Sequence, residues 1–95
     1  MSKIIVFGAS WCGPCKILKS KLASFLSDAG LEITVEHADV DDEDDQRVEE
    51  HGITNVPTSF FVKDERIVER FVGITNYPSF LQRCKAHLAL DNAFA

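Results

Sequence analysis

Two cysteines separated by two residues are the part of this sequence best suited to chemistry. Cys12 and Cys15 lie in the pentapeptide Trp11-Cys12-Gly13-Pro14-Cys15. Their spacing allows a small disulfide ring to close and to open again by thiol–disulfide exchange. An apolar run precedes the pair and a helical pattern follows it. The pair therefore lies where a strand ends and a helix begins.

The start of a helix favours the thiolate, which is the attacking form of a cysteine. Backbone N–H groups of the first turn lack intrahelical partners, and the helix dipole adds positive potential there. We assign Cys12 as the nucleophile that forms a mixed disulfide with a substrate. Cys15, one turn further on, is expected to be more shielded and to displace the substrate from Cys12.

The first half of the chain predicts a strand, a helix and a second strand. Residues 3–8 form an apolar run typical of a central strand, and the apolar spacing of residues 13–29 is that of one helix face. Gly30 is suited to end this helix. Alternation over residues 31–39 predicts a second strand, parallel to the first.

The second half predicts a short acidic helix, a hairpin and a last helix. The short helix is expected over residues 42–51, with its acidic residues at the N-terminal end. Strands over 59–62 and 66–72 are close enough for an antiparallel hairpin. Asn76 is a suitable N-cap for the last helix, and Cys84 lies on that helix's apolar face, where it is expected to act as a small buried hydrophobe.

Composition and charge exclude several classes of protein. The net charge of −5 argues against a nucleic-acid binder, and no apolar run reaches the length of a membrane helix. A structural zinc site needs four ligands. Cys84 is far from the pair, and no ligand spacing relates the three histidines, so we expect no metal. These histidines are His37, His51 and His87.

The 95 residues predict one domain over 1–90, followed by a mobile tail at 91–95. The N-terminus lacks the apolar segment and cleavage site of a signal peptide, so we expect a cytoplasmic protein. In that reducing compartment a C-x-x-C pair is expected to be catalytic or metal-binding rather than structural. We also expect the chain to be a monomer.

The chain closely resembles the thioredoxin family over nearly its whole length. The resemblance is carried by Trp11-Cys12-Gly13-Pro14-Cys15 followed by Lys16, by Val56-Pro57-Thr58, and by Val72-Gly73. It implies an α/β thioredoxin fold with a minimal β-α-β-α-β-β-α core, in which three helices flank a four-stranded mixed sheet. The family's usual first strand and helix are missing, as in glutaredoxins.

The resemblance also implies the site and its partners. Cys12 and Cys15 would form the redox-active disulfide, and Pro57 would be cis and would face the pair. Disulfide-containing proteins would be the substrates, an NADPH-dependent thioredoxin reductase would recharge the protein, and no bound cofactor would be needed. The apolar substrate-binding patch would comprise Trp11, Gly13, Pro14, Val56, Pro57, Val72, Gly73 and Ile74.

One position departs from the family. Family members usually carry a buried aspartate six residues before the first cysteine, where it assists proton transfer; this chain has Val6 there. The lysine that partners that aspartate is replaced by His37. We expect water to deprotonate Cys15, with His37 or Asp39 as alternative proton acceptors.

Three other functions remain open. A glutaredoxin-like reductase using the glutathione system fits the short chain, although glutaredoxins usually carry Pro-Tyr between their cysteines. A redox-independent binding subunit would use the same surface as a scaffold and would keep its function without Cys12 and Cys15. An oxidant or isomerase of an oxidising compartment is the third.

Overall fold

The computed structural model describes the backbone of residues 2–94 and the side chains of residues 2–89. The elements in chain order are β1 (Ser2–Gly8), α1 (Gly13–Ala29), β2 (Thr34–Asp39), α2 (Arg47–Glu50), β3 (Thr58–Lys63), β4 (Arg66–Val72) and α3 (Tyr77–Phe94). This is the predicted β-α-β-α-β-β-α order. Within residues 2–94, no helix combines the length and apolarity needed to cross a membrane.

The four strands form one mixed sheet in the order β2-β1-β3-β4. β1 runs parallel to β2, with Val6 opposite His37 and Gly8 opposite Asp39. β1 and β3 are antiparallel, as are β3 and β4. The predicted mixed sheet of the thioredoxin fold is thus confirmed. Because β1 lies inside the sheet, its C-terminal end is held on both sides.

Apolar residues pack on both faces of the sheet. Helices α1 and α3 cover one face, where their side chains form the larger cluster with β1 and β3. Its fully buried members include Ile4, Phe61, Tyr77, Phe80 and Leu81. The smaller cluster on the other face comprises Ile5, Phe7, Ile53 and Phe60, with Val48 of α2 packed against it. Burial of α1 on the larger cluster fixes the direction in which its N-terminus points.

Helix α1 has the termini that its sequence predicts. Cys12 is the N-cap, in an extended conformation, and Pro14 lies in the first turn. Gly30 ends the helix with φ of 68°, a left-handed conformation that glycine adopts without strain. Its backbone N–H donates to the carbonyls of Leu26 and Ser27. Both ends of the helix are therefore set locally.

The acidic helix is much shorter than predicted. We expected residues 42–51, but α2 spans only Arg47–Glu50. The carboxylates of Asp39, Asp42 and Asp45 each accept a hydrogen bond from the backbone N–H two residues later. Such bonds offer the backbone an alternative to helix, so these aspartates form successive turns before α2 begins.

Two further boundaries differ from prediction by more than one residue. Strand β2 begins at Thr34 rather than at residue 31. Helix α3 continues to Phe94, so residues 91–94 of the expected tail are helical; residue 95 lies outside the described residues. No glycine or proline follows Pro78 to stop this helix. Asn76, expected as its N-cap, has φ of 64°, and its carbonyl accepts from the Ser79 N–H.

Candidate active site

Cys12 and Cys15 are joined by a disulfide across the first turn of α1, with their Cα atoms 5.3 Å apart. The backbone N–H of Cys15 donates to Cys12 Sγ at 3.1 Å. A sulfur that caps a helix receives both this hydrogen bond and the positive end of the helix dipole. When the disulfide is open, the same arrangement stabilises a thiolate at Cys12.

The two cysteine residues differ in overall exposure. Cys12 is only 5% exposed, whereas Cys15 is half-buried. The segment before β3 covers Cys12, whose Sγ lies 3.7 Å from the Val56 carbonyl oxygen. Cys15 instead faces the junction between α1 and the ends of β1 and β2. These exposures are of whole residues, so the greater shielding of the Cys15 sulfur stays a prediction.

The segment before β3 is held against the end of β4. The Val56–Pro57 peptide bond is cis, and Pro57 is buried. The Gly73 N–H donates to the Pro57 carbonyl at 2.8 Å. On the other side, Thr58 Oγ1 donates to the Asn55 carbonyl at 2.6 Å. These bonds hold the segment that contains Val56, whose carbonyl oxygen lies beside Cys12 Sγ.

The predicted substrate-binding residues differ in their exposure. Trp11 is 67% exposed and Val72 is 52% exposed, and both are large apolar side chains. Gly13 and Pro14 are also exposed, whereas Val56, Gly73 and Ile74 are half-buried. Exposed apolar groups beside a reactive sulfur are typical of an interaction surface.

Asp41 is a site residue that sequence reasoning missed. Its Oδ2 accepts a 2.7 Å hydrogen bond from the Trp11 indole Nε1. Asp41 is positioned in turn by its backbone N–H, which donates to Asp39 Oδ1 at 2.9 Å. β1 and β2 are parallel neighbours, so the residues just beyond their carboxyl ends meet at one edge of the sheet. The predicted pairing of β1 with β2 could therefore have indicated that Asp41 lies near Trp11.

A cleft of about 540 Å³ opens beside Cys15, on the α1 side of β1 and β2. Its charged and titratable lining residues are Lys16, Lys19, His37 and Asp39. Gly8 and Cys15 pack closely at this cleft: a Cβ at Gly8 would lie 3.3 Å from both Cβ and Sγ of Cys15. Both alternative proton acceptors, His37 and Asp39, thus share a cleft with Cys15.

His37 lies opposite the buried Val6 and is itself exposed at the mouth of this cleft. Removal of part of the ring from water, and secondarily the charge of Lys19, lower the pKa of His37 below its usual 6.5. The histidine is therefore neutral at neutral pH and has a nitrogen able to accept a proton.

Cys84 plays no part in this site. It is fully buried in the cluster between α1, α3 and the sheet, as predicted. Burial, with a smaller contribution from Glu69, raises the pKa of Cys84 to about 12. Among the residues that the structure describes, no group of three or more His, Cys, Asp or Glu side chains is placed to hold a metal ion.

Comparison with known proteins identifies relatives of the chain. The thioredoxin family model matches residues 1–86. The mitochondrial thioredoxin of Mus musculus is 35% identical over 71 residues, which are 75% of this chain and 42% of that protein. The chain thus spans less than half of that relative's length. The thioredoxin of Chlamydia caviae is 31% identical over 84 residues, which are 88% of this chain and 80% of that protein.

Solved structures show the same likeness. Thioredoxin from Fasciola hepatica superimposes with a TM-score of 0.71 at 28% identity, over 86% of this chain and 79% of that one. Thioredoxin 1 from Thermosipho africanus gives a TM-score of 0.76 over 95% of this chain and 98% of that one. At 22% identity, the second similarity establishes the fold alone.

Proposed function

The chain belongs to the thioredoxin family, and we propose that it is a thiol–disulfide oxidoreductase that reduces disulfides in other proteins. One observation carries the proposal: the Cys12–Cys15 disulfide closes across a helix N-terminus, where the Cys15 N–H donates to Cys12 Sγ. Relatives named thioredoxin support it.

In the first step, the Cys12 thiolate attacks one sulfur of a substrate disulfide. A bond forms between Cys12 Sγ and that sulfur while the substrate S–S bond breaks. The released substrate sulfur leaves as a thiolate and takes a proton from water. The Cys15 N–H and the helix dipole favour the thiolate that begins this step.

In the second step, the Cys15 thiolate attacks Cys12 Sγ and displaces the second substrate sulfur. The substrate leaves as a dithiol, and the Cys12–Cys15 pair is oxidised by the same two electrons. Cys15 must first lose its proton. We propose water in the adjoining cleft as the acceptor, with His37 and Asp39 as alternatives, since all three have access to the same space.

Substrates would bind across the apolar surface next to Cys12. Trp11 and Val72 offer exposed apolar area, and Val56 presents its backbone beside the sulfur. An extended substrate segment would pair with that backbone as an added strand. Gly13, Pro14, Pro57, Gly73 and Ile74 complete the proposed substrate-binding surface.

An NADPH-dependent reductase of the thioredoxin type would return the pair to the dithiol, with no cofactor bound to this chain. We also propose that the chain acts in the cytoplasm, because a dithiol reductant needs a reducing compartment. We propose, separately, that it acts as a monomer. Sedimentation of the purified protein and cell fractionation test these two points.

Reduction of insulin by dithiothreitol tests the proposed function. The wild-type chain should accelerate precipitation of the insulin chains, and Cys12→Ser should abolish that acceleration. Cys15→Ser should instead accumulate a mixed disulfide on Cys12, visible by mass spectrometry. Cys84→Ala serves as the matched control and should keep full activity. A Cys12→Ser variant as active as the wild type would refute the proposal.

The proton acceptor for Cys15 is tested separately with His37→Ala and Asp39→Asn. If water accepts the proton, each variant should retain the wild-type dependence of the resolution rate on pH. Loss of an ionisation near or below pH 6.5 in His37→Ala alone would assign the role to the histidine.

A further inference from the structure

The sheet face opposite α1 and α3 is covered only in part. Helix α2, which packs on this face through Val48, has four residues and is about 6 Å long. The seven residues of β1 extend over about 23 Å. A groove of about 690 Å³ remains over this face. Its volume lies within the range of about 300–1,000 Å³ that is typical of small-molecule sites.

Apolar side chains from three strands form the floor of the groove. Ile5 and Phe7 come from β1, Phe60 and Val62 from β3, and Ile67 from β4. Ile67 is 41% exposed, so part of this apolar area is in contact with water. A ligand with an apolar body would cover that area, and removal of apolar surface from water stabilises a complex.

The rim of the groove carries more positive than negative charge. Lys3, Arg47 and Arg66 all line it, whereas Glu65 is the one carboxylate among the described lining residues. The guanidinium of Arg47 lies over the Phe7 ring, 5.4 Å from its centroid, so positive charge directly borders the apolar floor. Such a rim favours an anionic group on the ligand.

Two of these three cations already have carboxylate partners. Lys3 Nζ lies 3.0 Å from Glu36 Oε1, and Arg47 Nη2 lies 2.7 Å from both Glu36 Oε2 and Asp45 Oδ2. Neither carboxylate lines the groove. Arg66 is exposed and forms no close ion pair with a residue that the structure describes. Arg66 is therefore the cation available to a bound anion.

Arg66 and the cysteine pair lie toward opposite ends of the sheet. Arg66 is opposite Lys63, which is opposite Ser2 at the start of β1. Cys12 instead follows the far end of β1. A ligand paired with Arg66 can thus bind without covering Trp11, the largest exposed residue of the proposed substrate surface.

We propose that this groove binds a small monocarboxylate with an apolar body. The body lies on the apolar floor, and the carboxylate pairs with Arg66. This binding does not depend on the redox function, because no cysteine lines the groove.

The ligand class is tested with octanoate, 1-octanol and octylammonium, which share one alkyl chain. Each is titrated into the oxidised protein while amide shifts are followed by heteronuclear NMR. Octanoate should bind most tightly and should shift the amides of Ile5, Val62 and Ile67. The net charge of −5 would by itself favour octylammonium, so a preference for octanoate requires local positive charge. Tighter binding of octylammonium, shifts centred on Trp11 and Val72, or no saturable binding of octanoate would overturn the proposal.

The role of charge is tested with Arg66→Gln. This variant should raise the Kd of octanoate about two- to fivefold and leave that of 1-octanol unchanged. Lys21→Gln, which removes a charge from an exposed residue of α1 outside the groove, should change neither Kd. An equal effect of the two variants on octanoate would contradict pairing with Arg66.

The role of the apolar floor is tested with Ile67→Glu, which should raise the Kd of octanoate about tenfold. Val68→Glu is the matched control, because Val68 is also an exposed apolar residue of β4 but does not line the groove. Equal losses in the two variants would count against this floor as the binding surface. Insulin reduction by Arg66→Gln should match the wild type, so failure of this proposal leaves the proposed redox function intact.

Discussion

The indole Nε1 of Trp11 donates a 2.7 Å hydrogen bond to Asp41 Oδ2, across 30 positions of sequence. This bond ties the residue before the nucleophile to the first turn after β2. Because Trp11 is 67% exposed, little packing restrains its ring. The carboxylate therefore fixes the orientation of the largest apolar group in the proposed substrate surface.

Removal of that carboxylate should weaken substrate recognition more than folding. Asp41→Ala is expected to lower kcat/KM for insulin reduction about two- to tenfold, the equivalent of one lost hydrogen bond. Trp11 fluorescence should change, with little change in Tm. Asp44→Ala in the same loop is the control. It removes one carboxylate but keeps the hydrogen bond from the Asp44 backbone N–H to the Asp42 carboxylate. Equal losses in both variants would point to loop charge rather than to the bond.

Gly8 leaves little room for a side chain. A Cβ there would lie 3.3 Å from both Cβ and Sγ of Cys15, so Gly8→Ala must push the cysteine or the end of β1 aside. We expect a loss of about 1–3 kcal/mol in the free energy of unfolding, measured by urea denaturation. Gly13→Ala, which has no atom within 4 Å of its new Cβ, should cost much less. Similar losses in the two variants would contradict the close approach.

A buried hydroxyl pair should show strong coupling. Tyr77 Oη and Ser59 Oγ lie 2.9 Å apart, and both side chains are fully buried. Tyr77→Phe leaves the serine without this partner and should cost about 1–3 kcal/mol. Ser59→Ala should cost a similar amount, because it leaves the buried Tyr77 hydroxyl without this hydrogen-bond partner. The double variant should be more stable than the sum of the single losses predicts, and strict additivity would count against the bond.

Cys84 should be inert while the protein is folded. Burial raises the pKa of Cys84 to about 12, so almost none of it is thiolate at neutral pH. With the disulfide closed, iodoacetamide at pH 8 should modify Cys84 only after denaturation, as judged by mass spectrometry. Fast labelling of the native oxidised protein would show that the larger cluster opens more readily than its packing indicates.

Local signals were enough to predict most of the fold. The apolar run of β1, the spacing along α1 and the left-handed Gly30 are each set by neighbouring residues, so periodicity and capping predicted these elements. The place of Cys12 at the helix N-cap followed from the same signals. The aspartates at 39, 42 and 45 misled the prediction of α2, because their side chains favour both helix starts and turns.

Other features depend on contacts between distant segments. The Val56 carbonyl beside Cys12 and the cleft beside Cys15 are each formed by segments that are distant in the chain. The Trp11–Asp41 bond likewise joins two loops that meet only because β1 and β2 are neighbours. Spacing along the chain gives no measure of such contacts, since each requires the assembled sheet.

The midpoint potential of the Cys12–Cys15 couple tests the central claim most directly. The protein would be equilibrated in dithiothreitol redox buffers and followed by Trp11 fluorescence. As a reductant of protein disulfides, the couple should have a potential near or below about −230 mV, in the range where the dithiol opens most substrate disulfides. A potential of about −180 mV or higher would contradict this account and indicate an oxidising role.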